Sequence, residues 1–296
     1  MAATRAQQMK AIDMAMQHYD AGYGAISEPP PPLRGILASA GDLQVRLATS
    51  ADDLAAAQTL RYDVFYREMA AQPSPEMAAI GRDFDDYDGF CDLLLVIDQS
   101  LPEDTNVVGT YRLLRQEVAA RCGGFYSEGE FDISPLARQF RPDWRGLELG
   151  RSCVHRDYRN QATIQLLWRG ISHYISTHRI GFMFGCASLP GTDPRALAMP
   201  LSFLYHRCLA PEGLRVRALP HLHNAMNLLP VEALDDRAAL RALPPLIKGY
   251  LRLGCHIGDG AVIDRQFGTT DVAIVLPVER IQSRYFSHFE RPSGTA

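Results

Sequence analysis

Lysine is almost missing from this chain. Of 30 basic residues only Lys10 and Lys248 are lysine, and the rest are arginine. The bias supplies planar, forked donors suited to phosphate and carboxylate. Long apolar runs are missing too: no window approaches the roughly 18 consecutive residues that a membrane helix requires. The N-terminus MAATRAQQMK lacks the apolar core of a secretory signal. The six cysteines (91, 122, 153, 186, 208 and 255) form no CxxC pair, which points to reduced thiols and a cytoplasmic protein. His221 with His223, and Cys255 with His256, are short pairs, but no fourfold set has metal spacing, so no metal is expected. No G-x-S-x-G elbow and no GxxxxGK phosphate loop occurs. A net charge of −4 makes the whole molecule a poor electrostatic match for nucleic acid, and none is expected as a partner.

An apolar fraction of 47% is enough for an ordinary packed core. Residues 1–41 read as a helix, with Met9, Ile12, Met16 and Tyr19 at helical spacing, followed by a stiff linker at Pro29–Pro32. Residues 42–209 alternate strands and helices. Leu43, Val45 and Leu47 alternate as a strand, and Ser50 with Asp53 starts a helix running to about Met69. Residues 92–98 and 107–114 suit an antiparallel pair. Residues 147–154 form a further strand, followed by a helix from Ala162 to about His178 that buries Ile164, Leu167, Trp168, Ile171 and Ile175. FMFGCAS at 182–188 returns as a strand, and Pro194 to Cys208 is a second helix. Residues 210–296 read as a C-terminal extension packed on that core. Within it, 214–219 suits a strand, 231–242 is helix-prone, 243–254 suits a short helix and 271–278 a strand. The fold class is α+β, a mostly antiparallel mixed sheet flanked by helices.

Several residues stand out chemically. A glutamate inside the apolar strand L-E-L-G-R-S-C-V is costly to bury unpaired. If buried, Glu148 gains a raised pKa suited to a general base; the bland alternative is an exposed edge carboxylate. Arg151 lies on the opposite face of a regular strand, and a bulge near Gly150 would bring the two together. The stretch V-H-R-D-Y-R-N-Q-A-T at 154–163 is a strand–turn–helix junction whose free N–H groups and helix dipole suit phosphate. Between Arg138 and Arg179 eight arginines face three acids, a field favouring a phosphopantetheine arm or an acidic carrier protein. The run D-F-D-D-Y-D-G at 83–89 is not a calcium loop, because Tyr87 and Leu94 occupy its fifth and twelfth positions. It reads as a surface loop, or as an anionic pocket for a cationic substrate or for Arg61. Cys153, Cys186 and Cys208 read as core residues rather than nucleophiles.

R-Y-D-V-F-Y-R-E (61–68), D-F-D-D-Y-D (83–88), V-V-G-T-Y-R-L (107–113) and E-L-G-R-S-C-V (148–154) resemble, in order, the motifs of acyl-homoserine-lactone synthases and their GNAT relatives. Y-R-N-Q-A-T-I-Q-L-L-W-R-G-I (158–171), F-G-C-A-S (184–188) and L-P-P-L-I-K-G-Y-L-R-L-G (243–254) are similar to the L-ornithine Nα-acyltransferases of ornithine-lipid synthesis, the nearest group. The likeness covers about residues 43–280. It implies a GNAT-like core and transfer of a 3-hydroxyacyl group from acyl carrier protein to L-ornithine, forming lyso-ornithine lipid. It implies no tightly bound cofactor, the donor being a phosphopantetheine thioester, and a peripheral membrane contact through the product. It places Glu148 as base and Arg61, Asp85, Asp88, Arg112 and Arg151 as the acceptor's polar network. Val154, Arg156, Arg159, Asn160 and Ala162 fall to the acyl donor. The chain continues from Cys208 to Ala296, beyond what a lactone synthase needs, which argues against S-adenosylmethionine as substrate. The competing readings are a lactone synthase or another GNAT using acyl-CoA and a different amine, and a non-catalytic acyl-carrier or membrane-surface module. The last would not need Glu148 in a strand.

Overall fold

The alternating apolar segments pair into one sheet in a computed structural model that describes residues 33–103 and 105–281. The helix and proline run expected within residues 1–32 lie outside the described residues. The described residues form ten strands: β1 (Ile36–Ala40), β2 (Leu43–Leu47), β3 (Asp92–Asp98), β4 (Val107–Arg115), β5 (Phe131–Asp132), β6 (Arg145–Val154), β7 (Ile180–Pro190), β8 (Arg217–Ala218), β9 (His256–Asp264) and β10 (Thr269–Pro277). Their spatial order is β1-β2-β3-β4-β6-β7-β10-β9-β8-β5. Every neighbouring pair is antiparallel except β6–β7 and β8–β9. This is the mixed, mostly antiparallel α+β arrangement expected. The sheet runs across residues 41 and 209, where the sequence suggested divisions: β1 precedes the first and β9 and β10 follow the second. No helix among the described residues is long and apolar enough to cross a membrane.

The main helices are α1 (Ala51–Tyr62), α2 (Pro75–Ile80), α3 (Gln161–His178), α4 (Ala198–Cys208), α5 (Asp236–Ala242) and α6 (Pro245–Leu253). Ser50 caps α1 by accepting the Asp53 N–H at 3.1 Å, as the S-x-x-D signal requires. The segment expected as one helix to Met69 is α-helical only to Tyr62 and then widens into a π-helical stretch, Asp63–Glu68. Asn160 caps α3 through the Thr163 N–H at 3.0 Å. Leu167, Ile171 and Ile175 are buried as their spacing demands, but Ile164 is 48% exposed and Trp168 only half-buried. The buried face of α3 is centred instead on Leu166, Ile171 and Tyr174, which pack into the core beside Val45 and Leu94 of the sheet. Gly254 ends α6 in the left-handed conformation. Neither β1 nor β9 was expected, since β1 follows the proline run and β9 carries Gly258, Asp259 and Gly260 in place of a clean apolar alternation.

The feature that positions the site is a fork. β6 and β7 pair in parallel only from Arg145↔Ile180 to Glu148↔Phe184. Beyond that point β6 stays with β4 and β7 stays with β10 out to Pro190. The gap is lined by Leu149, Met183, Phe184, Cys186, Tyr250 and Ile274, among others. Gly185 sits at its apex, where a Cβ would lie 2.3 Å from the Leu149 carbonyl oxygen. Gly185→Ala is therefore expected to spread the strands and lower the unfolding free energy by about 1–3 kcal/mol. Urea denaturation reads the loss, and an unchanged midpoint would show that the apex has slack.

Candidate functional site at the sheet fork

The register of β6 against β4 slips between Thr110↔Cys153 and Arg112↔Gly150, and Arg151 at the slip has φ +47°. This is the bulge expected near Gly150. It does not bring Glu148 and Arg151 together. Arg151 turns instead toward the loop before β3, with its Nη2 3.3 Å from Asp85 and its Nε 3.6 Å from Asp83. Its guanidinium also stacks on Phe267 at 4.8 Å and on Tyr126 at 5.5 Å.

Three arginines and three aspartates form one network. Arg61 is fully buried and grips Asp88 through both terminal nitrogens at 2.8 and 2.6 Å, while its Nε meets Asp83 at 2.7 Å. Arg112 donates to Asp85 at 2.6 Å and lies over Tyr126 and Tyr87. Burial opposes the Asp85 carboxylate, but Arg112 and Arg151 outweigh it and hold its pKa below the ordinary value. The acidic run thus receives Arg61, one of the two readings of that motif. Arg61, Asp88 and Arg112 are buried, while Arg151 and Asp85 stay partly exposed.

Glu148 is 4% exposed. Its carboxylate accepts the Tyr126 N–H at 2.8 Å, the Ser127 N–H at 2.6 Å and the Ser127 hydroxyl. Burial pushes its pKa up against the pull of these donors. Glu148 is neither an edge carboxylate nor an unpaired one, and it fixes the loop 125–129. Ser127 in turn places its hydroxyl 3.5 Å from the Cys186 sulfur, which lines the fork.

Sequence reasoning missed an acidic wall. Glu130, Asp264 and Asp271 bring carboxylate oxygens within 4.8 Å of one another, a grouping that could also hold a metal ion. Cys186 joins this wall to the fork by donating to Glu130 at 3.3 Å. Burial, with Asp271 and Asp264 nearby, pushes Glu130 up to about 7; burial pushes Asp271 up to about 6. Asp271 heads an apolar strand just as Glu148 interrupts one, so the argument applied to Glu148 would have found it. The Cys186 thiol is driven upward by burial and by Glu130, which leaves it protonated and unsuited to nucleophilic attack.

The residues expected to meet the acyl donor lie where β6 passes into α3. Arg156 is exposed in a single 3₁₀ turn, Arg156–Tyr158. Arg159 is exposed but tied to Glu68, and it donates to the Val154 carbonyl at 2.9 Å. Asn160 is the α3 cap, and Ala162 sits in the exposed first turn.

Residues 60–169 match the acetyltransferase (GNAT) domain family. An L-ornithine N(alpha)-acyltransferase of Brucella abortus (strain 2308) is 53% identical over 256 residues, covering 86% of this chain and 91% of that protein. A protein of the same description from Agrobacterium fabrum is 51% identical, covering 86% and 87%. Among solved structures, the AHL synthase LasI aligns with a TM-score of 0.46 at 13% identity, over 83% of this chain and 95% of that one.

Removing Arg61 tests whether the network is structural. Arg61→Met takes from buried Asp83 and Asp88 their nearest counter-ion, leaving only the longer contacts to Arg151 and Arg112, and is expected to cost about 3–5 kcal/mol. Arg67→Ala, which breaks the exposed pair with Asp63, should cost no more than about 0.5 kcal/mol. Equal losses in chemical denaturation would contradict this division.

Proposed function

The chain belongs to the L-ornithine Nα-acyltransferase family, and on that footing we propose how the fork acylates its acceptor. The enzyme is an acyltransferase that N-acylates L-ornithine. The observation that carries the geometric reading is the acidic wall beside the open fork, because ornithine brings two ammonium groups to be held. Glu130, Asp264 and Asp271 receive the side-chain ammonium. Arg151 borders the same wall and receives the carboxylate, with Arg112 and Asp85 fixing its position. Arg61 and Asp88 support this layer from below. The α-amine is then left facing the fork.

The donor is a 3-hydroxyacyl thioester on acyl carrier protein. Arg156 and Arg159, beside the N-terminus of α3, hold the phosphate of its phosphopantetheine arm or the acidic face of the carrier. Val154, Asn160 and Ala162 form the adjoining wall. The thioester lies along the fork, with its carbonyl oxygen toward a backbone N–H released by the bulge. Glu148 takes the α-ammonium proton through the Ser127 hydroxyl. The amine attacks the carbonyl carbon, the C–N bond forms, the C–S bond breaks, and the departing thiolate collects a proton. A thiolate leaves readily, so the residues present need no covalent enzyme intermediate.

Purified protein given 3-hydroxyacyl carrier and L-ornithine should yield an amide at the α-nitrogen, located by tandem mass spectrometry. Glu148→Gln should still bind the carrier while kcat falls on the order of 10²–10⁴-fold. Glu148 works as base only when ionised, and its pKa is raised, so wild-type kcat should climb with pH through that value. The variant should lose this acid limb. Near wild-type turnover with the limb intact would remove Glu148 from the chemistry.

A further inference from the structure

The fork is walled by apolar side chains, among them Leu149, Met183, Phe184, Ile274 and Leu276, yet one phenol stands in that wall. Tyr250 comes from α6 and meets Tyr111 of β4 hydroxyl to hydroxyl at 2.9 Å. Both side chains are buried, and Trp168 packs edge-on against the Tyr250 ring. Tyr111 is further engaged by the Ser152 hydroxyl, which belongs to the bulge of β6. A buried hydroxyl is costly unless it is bonded, and an acyl cleft built only for hydrocarbon would carry phenylalanine at both positions. Tyr111 divides its hydroxyl between Ser152 and Tyr250, whereas the Tyr250 hydroxyl, on the side that lines the fork, has bonding capacity beyond its one bond to Tyr111.

We propose that the Tyr111–Tyr250 hydroxyl pair reads the oxygen substituent of the donor's acyl chain, selecting a 3-hydroxyacyl group over an unsubstituted one. This rests on the placement of the thioester at the bulge under the proposed function. With the carbonyl beside Ser152, the third carbon of the chain lies two carbon–carbon bonds deeper in the fork, toward the pair. A 3-hydroxyl there both donates and accepts, meeting the bonding capacity that the Tyr250 hydroxyl leaves open. A plain chain would bury that remaining capacity unmet and be discriminated against, because a site built to bond a hydroxyl rejects the analogue that lacks it.

The test compares kcat/KM for 3-hydroxytetradecanoyl and tetradecanoyl carrier protein, with L-ornithine as acceptor, in wild type, Tyr250→Phe and Tyr111→Phe. Each variant removes one oxygen and keeps the ring, and thermal unfolding checks that the fold survives. Wild type should favour the hydroxylated donor by tenfold or more. Tyr250→Phe should shrink that ratio at least tenfold through loss on the hydroxylated donor, and Tyr111→Phe should shrink it in the same direction. A wild type indifferent to the hydroxyl, or variants that lose both donors equally, would overturn the assignment. No transfer to ornithine from either donor would overturn the proposed function itself, and this assignment with it.

Discussion

Arg151 turns left-handed at φ +47° in the middle of β6, a conformation that costs a non-glycine residue about 1–2 kcal/mol. Asp83, Asp85 and the rings of Tyr126 and Phe267 hold it there. The kink shifts β6 by one residue against β4, and the pairing of β6 with β7 ends just before it, at Glu148↔Phe184. The same turn aims the guanidinium at Asp85 and at the rings of Tyr126 and Phe267. On the proposed reading, the opening for the thioester and the cationic edge for the acceptor both arise from this one irregularity.

Charge is sorted around that kink. On one side the aspartates of the loop before β3 neutralise Arg61, Arg112 and Arg151. On the other, Glu130, Asp264 and Asp271 make no comparable ion pair among the described residues, and the carboxyls of Glu130 and Asp271 rise to about 7 and 6. A paired cluster gives rigidity, whereas crowded acids with raised pKa values favour an incoming cation. Glu148 stands between the two, its charge taken up by N–H groups of the 125–129 loop.

Much of this could be read from residues close together in the chain. The β3–β4 pair and the α3 helix follow from local pattern, while the burial of Glu148 and the bulge near Gly150 were open alternatives that the structure decides. The partners were harder. Arg151 found Asp85 rather than Glu148, since the aspartates arrive from a loop more than sixty residues earlier. Asp264, Phe267 and Asp271 belong to the β9–β10 hairpin, in the segment read as a packed extension. That hairpin joins the sheet beside β7, and only this pairing sets its acids next to Cys186 and Glu130. Ser127 and Glu130 lie in a short irregular stretch with no periodic signal, so nothing in the sequence linked them to Glu148.

The assignment of the acidic wall to ornithine can be read directly as protons. Near pH 6.5 a carboxyl of pKa about 7 and another of about 6 together hold about one proton, and a bound ammonium would expel it. L-ornithine can be titrated calorimetrically, in buffers of differing ionisation enthalpy, into protein holding a non-cleavable acyl-carrier analogue. The account predicts release of about one proton per site at pH 6.5, fading to none by pH 8.5 where both carboxyls are already ionised. Binding without proton release at pH 6.5, or the same release at pH 8.5, would contradict it.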